Sequence, residues 1–394
     1  MTTIPTLNQL YTSIKADLEA NLGVSIPLLG KNFIRVLAGV QAAKIKLLYL
    51  VLGNIQKNLA PDTADPESKG GTLERFGRLK LGRNPFQAIA AQYELTVTGS
   101  IGAVIKAKTT FKSDDTSLNP DSLFILDEEY TLVAISDTIT VRALVPGIAS
   151  RLDILNTLTS TAPIALVNSV ATVSAEVTEP KAAEDITTTY RSAVQASYRL
   201  EPQGGAGADY FIWLRDAQGA KRGYIYVKSG TVDPELNFFV EATIADSTDG
   251  KGTPSPQLLL DVEEVVEKSP DTTLPTYDRF RRPMGVLQIH YLPVTIINVD
   301  IEIEGYVGIT PTIETLLLNA LTNSVNAIRP FVASADVLEE KNDIIDNFKV
   351  AGVIKAQQPT SVFTGIAVKI NGVAMLNYTF VDGNIPYLNS VTYV

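Results

Sequence analysis

The sequence contains no cysteine and a single histidine, His290, among its 394 residues. Without cysteine there can be no disulfide, no thiolate metal ligand and no thiol nucleophile. With one histidine, the usual zinc sites cannot be assembled, and a hydrolase triad would have to use that one residue. The composition therefore excludes thiol enzymes and argues against zinc enzymes before any motif is considered.

Positive charge is also scarce. Lysine and arginine number 33 against 43 aspartates and glutamates, which gives a formal net charge of −10. A protein dedicated to nucleic acid needs a basic surface to neutralise phosphates. We therefore expect no nucleic-acid partner.

The first residues contain no basic segment followed by an apolar run, so we expect no secretion signal and a chain that begins in a cytoplasm. The longest apolar stretch, residues 26–52, is interrupted by the basic side chains Lys31, Arg35, Lys44 and Lys46. Each of these would be costly at the centre of a bilayer. We interpret the stretch as a packed helix and expect no membrane partner.

Apolar residues make up 45% of the chain and charged residues 19%, which is typical of globular proteins with several domains at this length. Apolar spacing of three to four residues predicts a helix over Leu7–Leu22, with Thr6 as its N-cap, and a second helix over 33–59. Neither helix has a sheet of its own to cover. The pattern favours packing in a bundle with another chain, and an internal helical hairpin is the alternative. The candidate contact residues are Ile14, Leu18, Val36, Val40 and Leu48.

The rest of the sequence predicts a multidomain α+β protein with an N-terminal helical bundle segment, a small all-β domain and two mixed α+β domains. The expected boundaries are 1–60 for the N-terminal helices, 61–92 for a connection with a short helix, 93–180 for the β domain, 181–278 for the first α+β domain and 279–394 for the second. Helical spacing after the β domain recurs at 187–200, 206–218, 256–268, 312–328 and 335–348. Closing strands are predicted over 365–370, 374–380 and 390–394.

Several features have a chemical and a structural interpretation. The turn Gly204-Gly205-Ala206-Gly207 could present backbone N–H groups to an anion, but it lacks the ending of a phosphate loop. Paired carboxylates such as Asp114 and Asp115 or Glu128 and Glu129 could serve a glycosidase or a calcium site, but adjacent strand residues point to opposite faces. His290 lies in an apolar strand. We predict structural roles for all of them, no enzyme activity, no cofactor and no metal.

Four stretches carry a resemblance to a known family. They are Leu59-Ala60-Pro61-Asp62-Thr63-Ala64-Asp65 with Leu73-Glu74-Arg75-Phe76-Gly77; Val97-Thr98-Gly99 with Val104 to Phe111; Glu184-Asp185-Ile186, Tyr190-Arg191 and Pro202 to Tyr210 with Trp213; and Arg281-Arg282-Pro283-Met284-Gly285-Val286. In this order and spacing they resemble the baseplate J-like family of contractile phage tails and related injection systems. In the second stretch, the family commonly has a glycine at the position of Lys108.

The resemblance implies a structural wedge subunit of a tail baseplate, located in the virion tail and assembled in the host cytoplasm. Two copies would join a smaller wedge protein through the N-terminal helices, and the C-terminal domains would pair and form a ring around the tail hub, near the tube and sheath proteins. Further candidate contact residues are Gly204, Gly205, Tyr210, Trp213, Arg281 and Arg282. The loops 61–71 and 269–278 are candidate hinges.

Two alternative functions remain open on the sequence. The β-rich centre and the aromatic content are also compatible with a receptor- or glycan-binding tail protein. A carboxylate-based hydrolase is the third hypothesis, since such an enzyme needs neither cysteine nor histidine.

Overall fold

The structure is a computed structural model that describes residues 4–23, 33–199, 205–230, 234–270, 274–333 and 335–394. The chain forms two compact units. Unit 1 contains residues 1–84 and 186–195, and unit 2 contains 85–185 and 196–394. The protein is a multidomain α+β protein with a helical N-terminal segment, which confirms the predicted fold class.

The helices of the described residues are α1 (Leu7–Leu22), α2 (Phe33–Lys57), α3 (Leu73–Lys80), α4 (Arg191–Arg199), α5 (Gly207–Leu214), α6 (Pro256–Glu267), α7 (Pro311–Asn326) and α8 (Asn347–Gln357). The strands are β1 (Gln92–Thr98), β2 (Val104–Ile105), β3 (Thr110–Ser113), β4 (Leu123–Leu126), β5 (Tyr130–Thr131), β6 (Ser136–Ala143), β7 (Thr157–Ser160), β8 (Val170–Thr178), β9 (Ala220–Val227), β10 (Glu235–Ala242), β11 (Gln288–Pro293), β12 (Thr295–Glu304), β13 (Ile344–Asp346), β14 (Gly365–Ile370), β15 (Val373–Met375), β16 (Asn377–Thr379) and β17 (Asn384–Tyr393).

Helix α1 starts where the sequence predicts. The Thr6 hydroxyl accepts from the Gln9 N–H, and the Gln9 side chain accepts from the Thr6 N–H, so the two residues form a capping box. This arrangement satisfies two backbone donors that a helix N-terminus would otherwise leave free. At the other end, Gly23 has a φ of 64°, which closes the helix with a left-handed residue.

Six strands of unit 2 close into a barrel in the order β1-β6-β4-β3-β7-β8. Strand β1 alternates half-buried and buried residues, because successive side chains point to opposite faces of the sheet. Leu95, Val97 and Phe124 lie inside with essentially no exposed surface. The barrel is an all-β body with a single apolar core.

The next part of unit 2 combines a three-stranded sheet, β11-β10-β9, with helices α5 and α6. Strands β9 and β10 are antiparallel, whereas β10 and β11 are parallel and are connected through α6. A parallel pair needs a crossover of this kind, and a helix usually provides it. Phe238 of β10 and Val262 of α6 lie in the resulting core.

The C-terminal part of unit 2 contains the four-stranded sheet β15-β14-β12-β17, covered by α7 and α8. The hairpin between β14 and β15 turns at Asn371 and Gly372, which have φ angles of 49° and 82°. Two consecutive positive φ angles are typical of the type I′ turn that Asn-Gly favours.

The helix predicted over 335–348 is wrong. Residues Leu338–Glu340 form a single 3-10 turn, Ile344–Asp346 form β13 paired with β16, and α8 starts only at Asn347. The Asp346 carboxylate accepts from the Lys349 N–H at 2.7 Å and caps the helix there. The apolar residues before Asp346 therefore belong to a 3-10 turn and to a short strand in which only Ile345 is buried, and helix α8 is absent from the prediction.

Two other predicted elements are correct in kind and wrong in extent. The helix predicted over 206–218 ends at Leu214 and continues as turns. The strand predicted over 374–380 is divided into β15 and β16, which belong to different sheets.

Candidate interaction surfaces

Helices α1 and α2 pack against each other as an antiparallel hairpin. The Lys46 ammonium donates to the Pro5 carbonyl at 2.8 Å, and the Arg35 guanidinium donates to the Tyr11 hydroxyl at 3.4 Å. The only buried residues of α2 are Ala38 and Ala42. The two helices thus form an internal hairpin, which was the alternative in the sequence analysis. Small side chains of α2 lie at the contact between the helices.

The opposite side of α2 is apolar and exposed. Val36, Val40, Leu47 and Val51 follow one another at helical spacing, and 49–63% of each side chain is exposed. At 100° per residue they lie opposite Ala38 and Ala42. We call these four residues the outer stripe. Of the predicted contact residues, Val36 and Val40 belong to the stripe and Leu48 is exposed beside it, whereas Ile14 and Leu18 of α1 are half-buried.

Helix α2 is also long and apolar enough to cross a membrane by length and composition alone, and 11% of its most apolar window is buried. Length and composition are therefore compatible both with the expected packed helix and with a membrane span. Arg35 and Lys46 form hydrogen bonds to α1 and to the segment before it.

In unit 1, Tyr190 and Arg191 contact residues that lie more than 100 positions earlier in the sequence. We call these contacts the base of unit 1. The Arg191 guanidinium donates to the carbonyls of Pro61, Asp62 and Ala64 at 2.8–2.9 Å. The Tyr190 hydroxyl donates to the Arg83 carbonyl at 2.9 Å. Arginine is suited to this role because its planar fork presents several donors at fixed angles.

Gly77 of α3 lies directly against Tyr190. A Cβ added at residue 77 would lie 1.8 Å from the Tyr190 hydroxyl, so no other residue fits without a shift. Tyr190, Val194, Ala64 and Leu73 form a small core of their own. The first stretch of the resemblance and the Tyr190-Arg191 pair of the third are therefore in direct contact.

The Gly-rich turn meets the start of the C-terminal sequence. Gly204 lies outside the described residues. Gly205 has a φ of 106°, and a Cβ there would lie 2.2 Å from Pro283 Cγ. Its N–H donates to the buried Asp209 carboxylate at 2.5 Å. Close packing against Pro283 thus requires glycine at position 205. The backbone N–H of Gly205 bonds to a carboxylate of the same chain.

Tyr210 and Trp213 pack edge to face with ring centroids 5.0 Å apart. Tyr210 is 1% exposed and Trp213 is half-buried. Burial raises the pKa of the Tyr210 hydroxyl to about 12. In the single chain, Tyr210 is therefore a core residue, and Trp213 presents only part of its ring to solvent.

Arg281 and Arg282 are both engaged within the chain. Arg281 donates to the Asp216 carboxylate and to the Val265 carbonyl, each at 2.8 Å. Arg282 lies 3.3 Å from the Glu267 carboxylate and is more exposed. The geometry makes Arg281 a link between the α5 and α6 regions and leaves Arg282 nearer the surface.

A buried ion network centred on Glu241 was not predicted. Its fully buried carboxylate accepts from Arg329 at 3.0 and 3.1 Å, from Lys221 at 2.7 Å and from the Tyr224 hydroxyl at 2.6 Å. Burial alone would raise the pKa of Glu241, but the charges of Arg329 and Lys221 outweigh it and hold the pKa below its usual range. The network connects β9 and β10 to the segment after α7.

His290 contacts the Glu235 carboxylate at 2.7 Å and the Lys228 ammonium at 3.1 Å, at one end of the β11-β10-β9 sheet. Hydrogen bonds from Lys228 and then His290 lower the pKa of Glu235. The Asp114 carboxylate accepts from the Thr159 hydroxyl. Among the described residues, no group of three or more His, Cys, Asp or Glu side chains is placed to hold a metal ion.

Comparisons of the sequence with protein-family models and with curated proteins found no match. Among solved structures, the chain is similar to one from the cryo-EM structure of the baseplate of the anti-feeding prophage. The similarity has a TM-score of 0.40 and 8% sequence identity, and it covers 99% of this chain and 100% of that chain. A TM-score of this size carries no argument about function.

Proposed function

We propose that the chain is a structural wedge subunit of a contractile-tail baseplate, and that its N-terminal hairpin is the part that binds the other subunits. The observation that carries the proposal is the outer stripe of α2, Val36, Val40, Leu47 and Val51. An exposed apolar stripe on a helix that already packs against α1 is typical of a surface that a second protein covers.

Two properties of the fold support the sequence resemblance behind this proposal. Tyr190 and Arg191 contact the 61–64 turn and α3, so motifs that the sequence separates share one small core. Lys108 has a φ of 68°, in the left-handed region that favours glycine. That is the position at which the family commonly has glycine.

In this proposal, two copies join a smaller wedge protein through the α1–α2 hairpin, and the C-terminal domains pair to form a ring around the tail hub. The proposal includes the five predicted domains and the predicted contact residues. In this proposal Tyr210 has a structural role in the core, and Arg281 has a structural role in its ion pair with Asp216.

The test replaces the outer stripe in the full chain by glutamine, as Val36→Gln, Val40→Gln, Leu47→Gln and Val51→Gln together. All four side chains are exposed, so we expect the variant to fold. We expect it to be lost from sedimenting tail-like particles when it is produced with the other particle proteins.

The matched control replaces four apolar residues of the barrel region that are about as exposed as the outer stripe. The substitutions are Ile101→Gln, Val133→Gln, Ile135→Gln and Ile154→Gln. This control should enter particles as the unchanged chain does. Normal incorporation of the stripe variant would contradict the proposal. Flotation of the unchanged chain with phosphatidylcholine–phosphatidylglycerol vesicles, abolished in the stripe variant, would instead identify α2 as a membrane segment.

A further inference from the structure

The outer edge of strand β9 presents backbone groups that no other part of the described chain uses. β9 is the last strand of the β11-β10-β9 sheet. Lys228 donates its backbone N–H to the Glu235 carbonyl at 2.9 Å. In the antiparallel register of β9 and β10, this bond determines which residues of β9 bond to β10 and which point outward. Residues 222, 224 and 226 therefore bond to β10, and Ile225 and Val227 direct their N–H and C=O groups away from the sheet.

Unpaired groups of this kind form a template for another strand. Native proteins usually protect such an edge with charged side chains, a proline, a bulge or a covering segment. In β9, Lys221, Arg222 and a bulge opposite Glu241 and Ala242 protect the first part of the strand. The sequence Tyr224-Ile225-Tyr226-Val227 has no proline and no charge. Val227 is 77% exposed. Within the described residues, the last part of this edge is thus left open.

An apolar groove of about 440 Å³ lies along the same edge. Its lining includes Ile225, Tyr226 and Val227 of β9, residues 205–206 before α5, and Phe331 and Ala333 after α7. Ile225 packs against the core of α5, and the Tyr226 hydroxyl donates to the Phe331 carbonyl at 3.3 Å. The volume of the groove is within the usual range for a site that receives a ligand, and its described lining carries no charged side chain.

We propose that this groove receives an extended, apolar segment of a different protein chain, which adds to the sheet as a fourth strand beside β9. The backbone of the segment bonds to Ile225 and Val227, and its inward side chains fill the groove, as in other cases of strand addition. Charged side chains are disfavoured in the groove, because the described lining offers no opposite charge to them.

The charge of β9 argues against a second copy of the same strand as the occupant. β9 and the residue after it contain Lys221, Arg222 and Lys228 and no acidic residue. Two such strands side by side would bring like charges together, which destabilises a strand pair. The proposal does not depend on the assembly role of the hairpin, because none of the described lining residues of the groove belongs to the hairpin.

The experiment uses the full chain and the blocked peptide acetyl-Thr-Val-Ala-Val-Thr-amide as the probe. Amide hydrogen exchange with and without the peptide should show protection of Ile225 and Val227. Calorimetric titration compares Val227→Pro, which removes one outward N–H, with Val227→Thr, which keeps it. Proline is tolerated on an edge strand where the N–H faces outward.

We expect Val227→Thr to bind within about twofold of the unchanged chain and Val227→Pro to bind about fivefold to tenfold more weakly, the effect of one hydrogen bond. A second variant, Ala333→Trp, fills the groove at an exposed position without altering the strand, and should abolish binding. Equal binding by the proline and threonine variants, no binding at millimolar peptide, or protection away from β9 would overturn the proposal. So would a dimer of the chain that Val227→Pro dissociates.

Discussion

Strand β1 of the barrel and helix α2 of the hairpin both contain apolar residues at regular spacing, but these residues are buried in β1 and largely exposed in α2. In β1, every second residue is buried and the apolar side chains fill a core made by the same chain. In α2, 25 residues contribute two buried alanines, and the larger apolar side chains remain exposed. Apolar content alone therefore does not indicate whether a segment completes its own fold or requires another molecule.

The largest expected effect is the one that tests this comparison directly. Phe124→Ala removes a fully buried ring from the barrel core and should lower the free energy of unfolding by about 4 kcal/mol. Leu47→Ala on α2 removes an exposed side chain and should change it by less than about 0.5 kcal/mol. Urea denaturation followed by circular dichroism measures both. Comparable losses would show that α2 is covered within the single chain.

The Glu241 network should give the next largest effect. Arg329→Ala leaves the buried carboxylate with Lys221 and Tyr224 only, and we expect a loss of about 3 kcal/mol, since an incompletely compensated buried charge is costly. The control is Arg142→Ala, which breaks an exposed pair with Asp127 and should cost less than about 1 kcal/mol. Chemical denaturation of both variants is the measurement. Equal losses would indicate that the network is open to solvent.

Acid should weaken the same network more gradually than Arg329→Ala, and by less between pH 7 and pH 3. Protonation of Glu241 removes the counter-charge of Arg329 and Lys221 only as the pH approaches the lowered pKa of Glu241. The pKa of Glu241 in the folded protein lies below its ordinary value of 4.5. The stability that Glu241 contributes is therefore complete above about pH 4.5 and is lost as the pH falls through the folded pKa. Denaturation between pH 7 and pH 3 should show a shallower decline for Glu241→Gln than for the unchanged chain. Identical slopes would contradict this assignment.

A smaller loss is expected at the base of unit 1. Arg191→Lys cannot reach the carbonyls of Pro61, Asp62 and Ala64 together, so we expect a loss of about 2 kcal/mol in the unfolding of unit 1. Faster proteolysis within residues 61–71 would report the same change. Arg75→Lys, at an exposed position of α3, is the matched control and should behave like the unchanged chain.

The smallest expected effect is a gain. Lys108→Gly places glycine at a φ of 68° and should stabilise the barrel region by up to about 1 kcal/mol. Glycine also has a more flexible unfolded state, which offsets part of the gain. Thermal unfolding should show a slightly higher midpoint. A lower midpoint would mean that side-chain contacts of Lys108 outweigh the backbone strain.

Local features of the fold followed from the sequence, whereas long-range ones did not. The bounds of α1 and its Thr6 cap could be predicted because helix periodicity and capping act over a few residues. The helix predicted over 335–348 was wrong because apolar spacing there fitted two kinds of structure, and only the pairing of β13 with β16 decides between them.

The candidate surfaces show the same limit. The apolar residues of α2 were evident in the sequence, including Val36 and Val40. The partners of Glu241 were not, because Arg329 is 88 residues away and no local pattern connects the two. The exposed edge of β9 depends on its place in the sheet order, which no property of the strand itself reveals.

The contact between Arg191 and the 61–64 turn has a consequence for how the chain is made. Unit 1 includes residues up to 84 and then 186–195, so its last contributors leave the ribosome about 110 residues after the rest. At roughly 5–20 residues per second, that delay is on the order of 6–20 s. During this interval the N-terminal helices are present on the nascent chain without their contacts to Tyr190 and Arg191. The barrel therefore has time to fold before these contacts can form.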